Sequence, residues 1–123
     1  MIVTFRPATR ADIDRLIDEP LPYRVRAFAL EVNGEFLGVG GFAYQPNDTI
    51  AAFLLKVPGA EKYKFSLHRA GLKVMEEAKA AGFRRVVALA EKTNPAAERW
   101  LKRLGFKQVM VDGEQAWIWE AAK

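Results

Sequence analysis

Ile2, Thr4 and Arg6 alternate with Val3 and Phe5, which reads as a first strand ending at Pro7. Thr9 has the chemistry of an N-cap, and Asp12 three residues later places a negative charge at the positive end of a helix. Ile13, Leu16 and Ile17 supply the apolar stripe of that short helix, which Pro20 and Pro22 close. From Val25 to Val32 the alternation is partial, so the second strand is expected to be covered on both faces. Asn33-Gly34 is a two-residue hairpin signal, and the return strand runs from about Glu35 to Tyr44. After a turn at Pro46 to Asp48, the run TIAAFLLKV, Thr49 to Val57, is nearly all apolar and reads as a strand buried on both faces.

The longest helix follows. Leu67, Gly71, Val74, Ala78 and Ala81 step by three or four and share one face, and Gly82 is placed to end the helix. Arg85 to Ala90 reads as another buried strand, and after the loop EKTN, Pro95 sits in a first helical turn. Trp100, Leu101 and Leu104 form the stripe of a short helix ended by Gly105. Lys107 to Val111 and Gln115 to Glu120 pair around Asp112-Gly113 as a last hairpin. The order is β-α-β-β-β-α-β-α-β-β. Two strand–helix–strand crossovers require parallel pairing and the hairpins require antiparallel pairing, so the class is α+β (mixed α/β), with one mixed, mostly antiparallel sheet and about three helices.

Length narrows this to a single domain spanning residues 1–123, because 123 residues suffice for one core. The absence of cysteine excludes disulfides, thiolate metal sites and a cysteine nucleophile. MIVTFRPATR lacks the basic segment, apolar stretch and cleavage site of a signal peptide, and no run approaches the length of a membrane span. A cytoplasmic setting without a membrane partner is therefore expected. The net charge of +4 favours anionic partners mildly. No block of five like charges and no aromatic-glycine-basic motif accompanies it, so nucleic acid is not an expected partner.

Some residues invite chemistry and have a plainer reading. Gly38, Gly40 and Gly41 lie inside a hairpin strand with no helix after them, which points to close backbone approach and not to a dinucleotide loop. His68, the only histidine, reads as an exposed helix residue, and nothing clusters with it to hold a metal. Trp117 and Trp119 share one strand face, as a core or an association surface requires. Lys102, Arg103 and Lys107 read as a solvated helix end.

Three stretches together resemble the GCN5-related N-acetyltransferase (GNAT) family over nearly the whole chain. FRPATRADIDRL looks like the family's first strand and helix. The unit from Phe53 to Gly82 looks like its acyl-CoA-binding core. NPAAERWLKRLGF, Asn94 to Phe106, is similar to its late helix motif. The resemblance implies an acyl-CoA N-acyltransferase (GNAT)-like fold, in which acetyl-CoA lies between two splayed central strands with its pyrophosphate at the start of the long helix. A carboxylate deprotonates an amine, and a tyrosine on the late helix protonates the departing thiolate.

Carried over by residue, the resemblance puts the backbone of Leu55 and Val57 against pantetheine. Lys62 falls at the head of the phosphate loop, with Tyr63, Lys64 and Asn94 as further cofactor contacts. Tyr63, Phe65 and Leu67 occupy positions where the family has glycine. Leu101 occupies the tyrosine position, and TIAAFLLKV holds no carboxylate, so Glu91 and Glu31 are the substitutes available as a base. Each also reads as a solvated carboxylate. The connection from Asp18 to Tyr23 is short where the family carries an extra helix, implying a reduced or open amine site.

Two functions follow from these residues. One is an acetyl-CoA-dependent N-acetyltransferase acting on a small-molecule or protein amine, with an unusual cofactor loop. The other is a catalytically inactive GNAT-fold protein kept for its surface. That second reading resembles phage-encoded members, and its expected partners are a second copy or virion proteins, with the virion as its location. A basic nucleic-acid-binding module is a third reading, resting on net charge alone.

Overall fold

The computed structural model describes residues 2–19, 23–46, 48–88 and 95–121. Its elements are β1 (Val3–Pro7), α1 (Arg10–Asp14), β2 (Arg24–Val32), β3 (Glu35–Gln45), β4 (Thr49–Lys56), a 3₁₀ turn (Ala60–Tyr63), α2 (Lys64–Ala80), β5 (Arg85–Ala88), α3 (Pro95–Arg103), β6 (Lys107–Val111) and β7 (Glu114–Glu120). The strands form one sheet in the order β1-β2-β3-β4-β5-β7-β6. Every pairing is antiparallel except β4 with β5. The element order, the mixed sheet and the three helices agree with the expectation from the sequence. Of the expected strand Arg85 to Ala90, its last two positions lie outside the described residues.

Local chemistry sets the ends of these elements. Thr9 and Asp12 form a reciprocal cap on α1: the Asp12 N–H donates to Thr9 Oγ1 at 3.2 Å and the Thr9 N–H to Asp12 Oδ2 at 2.7 Å. Asn33 (φ 52°) and Gly34 (φ 79°) make the hairpin between β2 and β3, both in the left-handed region that the sequence called for. Close approach explains the glycines of β3. A Cβ on Gly38 would collide with the Leu55 carbonyl oxygen, and one on Gly41 with that of Arg26.

Helices α2 and α3 cover one face of the sheet. Met75 and Ala78 of α2 meet Phe42, Val86, Ala88, Phe106, Trp117 and Trp119, with Leu101 and Leu104 of α3 packed alongside. Nearer the start of α2, Leu67 and Ala70 pack on Leu30, Val32 and Leu37. Ile13 and Leu16 lie on the other face against Ala29, Phe36 and Val39. Trp117 and Trp119 are therefore core residues, 2% and 5% exposed, and the association-surface alternative falls away.

Three features depart from the sequence pattern, the first being that β4, expected to be buried on both faces, is half-buried, with Leu54 exposed. The register between β2 and β3 shifts between Leu30 and Glu31, so Leu37 is an extra residue opposite them. The bulge lets both Leu37 and Phe36 be buried, Leu37 towards α2 and Phe36 towards α1. A 3₁₀ turn also precedes α2, where periodicity alone shows only the long helix. No helix among the described residues is long and apolar enough to cross a membrane.

Candidate functional site

Parallel strands β4 and β5 are joined, among the described residues, at the single pair Ala51↔Val87. On its other edge β4 pairs with β3 continuously from Thr49 to Lys56. Beyond Ala51 the β5-facing edge of β4, here termed the gap, has no partner among the described residues, and the chain runs on from it through the 3₁₀ turn into α2. Strand alternation decides which backbone groups face it. The Val57 N–H donates to the Leu37 carbonyl at 2.9 Å, so Val57 faces β3, and Leu55, two residues back in an unbroken register, faces β3 as well. Leu54 and Lys56 therefore turn their N–H and C=O groups to the gap. This corrects the expectation that the backbone of Leu55 and Val57 would hold a pantetheine: those groups are used inside the sheet, and the open ones lie one residue away.

Gly59, at φ 85°, turns the chain from β4 into the 3₁₀ turn, so the loop's one glycine serves the strand exit and not the helix start. The sequence signal for it is the Pro58-Gly59 pair. Lys62 and Tyr63 both turn towards the β2–β3 hairpin. Tyr63 Oη donates to Glu35 Oε2 at 2.9 Å, which raises the Tyr63 pKa, and the ring packs beside Leu30, Val32 and Leu37. The Lys62 ammonium lies 3.5 Å from Glu35 Oε1 and 5.2 Å from the Tyr63 ring centre. Glu35 starts β3, on the far side of β4 from the gap, so the structure places Lys62 and Tyr63 with Glu35 and away from the gap. Nothing in the sequence pattern marks Glu35 for this.

Phe65 points into solvent and is 84% exposed. Helix α2 has no side-chain cap and no acidic residue in its own first turn, while Glu61 of the preceding 3₁₀ turn accepts from the backbone N–H groups of Glu61 and Gly59. Lys64, its first residue, is exposed and has no carboxylate partner among the described residues. Lys56 is paired with Glu61 at 2.8 Å, and the ammonium holds the Glu61 carboxyl below its ordinary pKa. Of the bulky residues at the glycine positions, Tyr63 thus turns to the hairpin, Phe65 to solvent and Leu67 to the core.

The proton-transfer candidates stand less well. Glu31 lies on β2, with β3 and β4 between it and the gap, and its carboxylate accepts from Arg6 Nη2 at 3.2 Å. Two strand spacings, about 10 Å, separate β2 from β4, so Glu31 does not reach the gap as a base. Glu91 and Asn94 fall outside the described residues. Leu101 packs into the core beside α2, an apolar side chain without a proton to give. His68 is half-buried, not exposed as its position suggested: its Nδ1 accepts from the Trp100 indole N–H at 3.2 Å, joining α2 to α3. No group of three or more potential metal ligands occurs among the described residues.

Comparison with solved structures places this geometry in a known fold. The protein yncA of Salmonella typhimurium, described as a putative acetyltransferase and solved with its cofactor acetyl-CoA, matches over 100% of this chain and 96% of its own, with a TM-score of 0.78 at 16% identity. A GNAT-family acetyltransferase of Staphylococcus aureus matches over 97% of this chain and 99% of its own, with a TM-score of 0.72 at 11% identity. A Bacillus subtilis acetyltransferase in complex with CoA matches over 98% and 100%, with a TM-score of 0.70 at 10% identity. No family model matches the sequence, and no curated protein matches it. The chain has the GNAT fold, the acyl-CoA N-acyltransferase architecture.

Proposed function

We propose that this chain binds acetyl-CoA in the β4–β5 gap and transfers the acetyl group to an amine. The observation that carries the reading is that Leu54 and Lys56 turn their backbone groups away from β3, along an edge with no partner strand among the described residues. An extended pantetheine, with its two amides, is chemically a strand and suits that edge. The uncapped start of α2, with Lys64 beside it, suits the pyrophosphate. Acetyl-CoA brings a thioester. The amine nitrogen bonds to its carbonyl carbon, the C–S bond breaks, and one proton leaves the nitrogen while one reaches the sulfur. The chain's part is to hold both reactants in line, which by itself supplies a large fraction of the rate. Without a tyrosine at 101, protonation of sulfur falls to water, at a cost of about 10²–10⁴ in rate.

A specific observation favours a second reading, a GNAT-fold protein without catalysis. Leu101 is built into the core, and β4 carries no carboxylate.

Thermal unfolding in acetyl-CoA separates the two. Ligand at a hundred times its dissociation constant stabilises the fold by about 2.7 kcal/mol, a rise in Tm of several degrees. Lys62→Ala should preserve the rise, since Lys62 belongs to Glu35, and Lys64→Glu should reduce it. No rise at millimolar acetyl-CoA removes the enzyme reading and leaves the scaffold.

A further inference from the structure

Phe65 is the most exposed of the large apolar side chains among the described residues, at 84%, and the fold gives no packing reason for it. Its place on α2 is informative. Residues seven apart on a helix differ in direction by about 20°, so Phe65 and Leu72, 42% exposed, share one shoulder. Between them His68 accepts from Trp100 of α3, which shows that this shoulder borders the seam between α2 and α3. The seam is tight: a Cβ on Gly71 would lie 3.0 Å from Trp100 Cζ2. Helical side chains lean towards the N-terminus, so the Phe65 ring stands over the turn that opens α2.

We propose that Phe65 is the stacking platform for the adenine of the bound acyl-CoA, at the mouth of the α2–α3 seam. This rests on the acyl-CoA reading above. With pantetheine along β4 and pyrophosphate at the helix start, the remaining end of the molecule is an adenosine carrying a 3′-phosphate. A ribose alone separates that base from the pyrophosphate, so it comes to rest on the surface around the first turns of α2. Phe65 offers the flat apolar face there. Lys64 and Arg69 flank it and have no carboxylate partner among the described residues, which suits the phosphates. The aromatic residue in a glycine position thus becomes part of cofactor selection: it distinguishes acyl-CoA from acyl-pantetheine.

The test compares acetyl-CoA with S-acetylpantetheine, which lacks the nucleotide, by calorimetry and competition on wild type, Phe65→Ala and Phe65→Trp. A side chain this exposed is replaced without touching the core, so the variants fold. Phe65→Ala should raise the Kd of acetyl-CoA by about 5- to 10-fold, as loss of one base–aromatic stack does, and leave S-acetylpantetheine unchanged. Phe65→Trp should restore the affinity. Equal Kd values for acetyl-CoA in wild type and Phe65→Ala overturn the proposal, as does equal weakening of both ligands, which would mean that Phe65 shapes the loop. A dimer that Phe65→Ala dissociates, with affinity unchanged, assigns the ring to a contact between copies and also overturns it. Absence of acetyl-CoA binding by the wild type is a different result: it removes the acyl-CoA reading itself, and this proposal with it.

Discussion

Asp12 accepts hydrogen bonds from the Thr9 N–H, the Thr9 hydroxyl and both Arg6 guanidinium nitrogens, while being 6% exposed. The Arg6 guanidinium above all, and then the Thr9 N–H, hold its carboxyl well below the usual carboxylate range. A carboxyl depressed in the folded state stabilises the protein at pH values above its unfolded pKa, near 3.9, and loses that contribution as pH falls through the folded value. Unfolding free energy should therefore be insensitive to this group from pH 8 to about 5 and decline below about pH 4. Asp12→Asn should cost about 1–3 kcal/mol at neutral pH and flatten the acid limb, as denaturant titrations at several pH values would show. An unchanged acid limb would mean that other carboxylates set it. The same ion-pair group accounts for Glu31, which shares Arg6 with Asp12 and so belongs to the anchoring of α1 to the sheet.

Between elements, the α2–α3 seam is a close contact whose fit depends on a glycine. Gly71→Ala would gain about 1 kcal/mol of helix propensity. Its new methyl would meet Trp100 Cζ2 at 3.0 Å and Leu104 Cδ2 at 3.1 Å, and Trp100 is held by its bond to His68. Overpacking costs about 1–3 kcal/mol, so the net effect should be a loss of about 1 kcal/mol and a lower Tm by calorimetry. A more stable variant would show that the indole yields. These elements were largely legible in the sequence: the Asn33-Gly34 turn, the Thr9–Asp12 cap and the stripe from Leu67 to Ala81 each carry a short-range signal. The bulge at Leu37 and the 3₁₀ turn carry none, because both arise where the sheet and α2 must be packed together. The directions of the candidate site's residues were not legible in the sequence. Lys62 falls at the head of the loop in sequence, yet its direction is decided by Glu35, a residue on another strand. In the same way the backbone direction of Leu55 and Val57 depends on the pairing of β4 with β3, which no local pattern contains.

At the scale of the molecule, a mostly antiparallel sheet with one parallel pair leaves the β5-facing edge of β4 beyond Ala51 without a partner among the described residues. That edge leads into the longest helix, so in the proposed reading a strand edge and a dipole end serve one ligand. Tyr63 and Phe65, bulky residues where the resembled family has glycine, turn to the hairpin and to solvent. The central claim is that the open edge of β4 receives acetyl-CoA through Leu54 and Lys56. Residue-resolved amide hydrogen exchange, followed by NMR without and with saturating acetyl-CoA, tests it most directly. In the free protein the amides of Leu55 and Val57 should exchange slowly and those of Leu54 and Lys56 faster. Acetyl-CoA should slow Leu54 and Lys56 by roughly ten-fold or more, about the protection that one added strand pairing confers. Unchanged exchange at both residues in the presence of saturating acetyl-CoA would contradict the account.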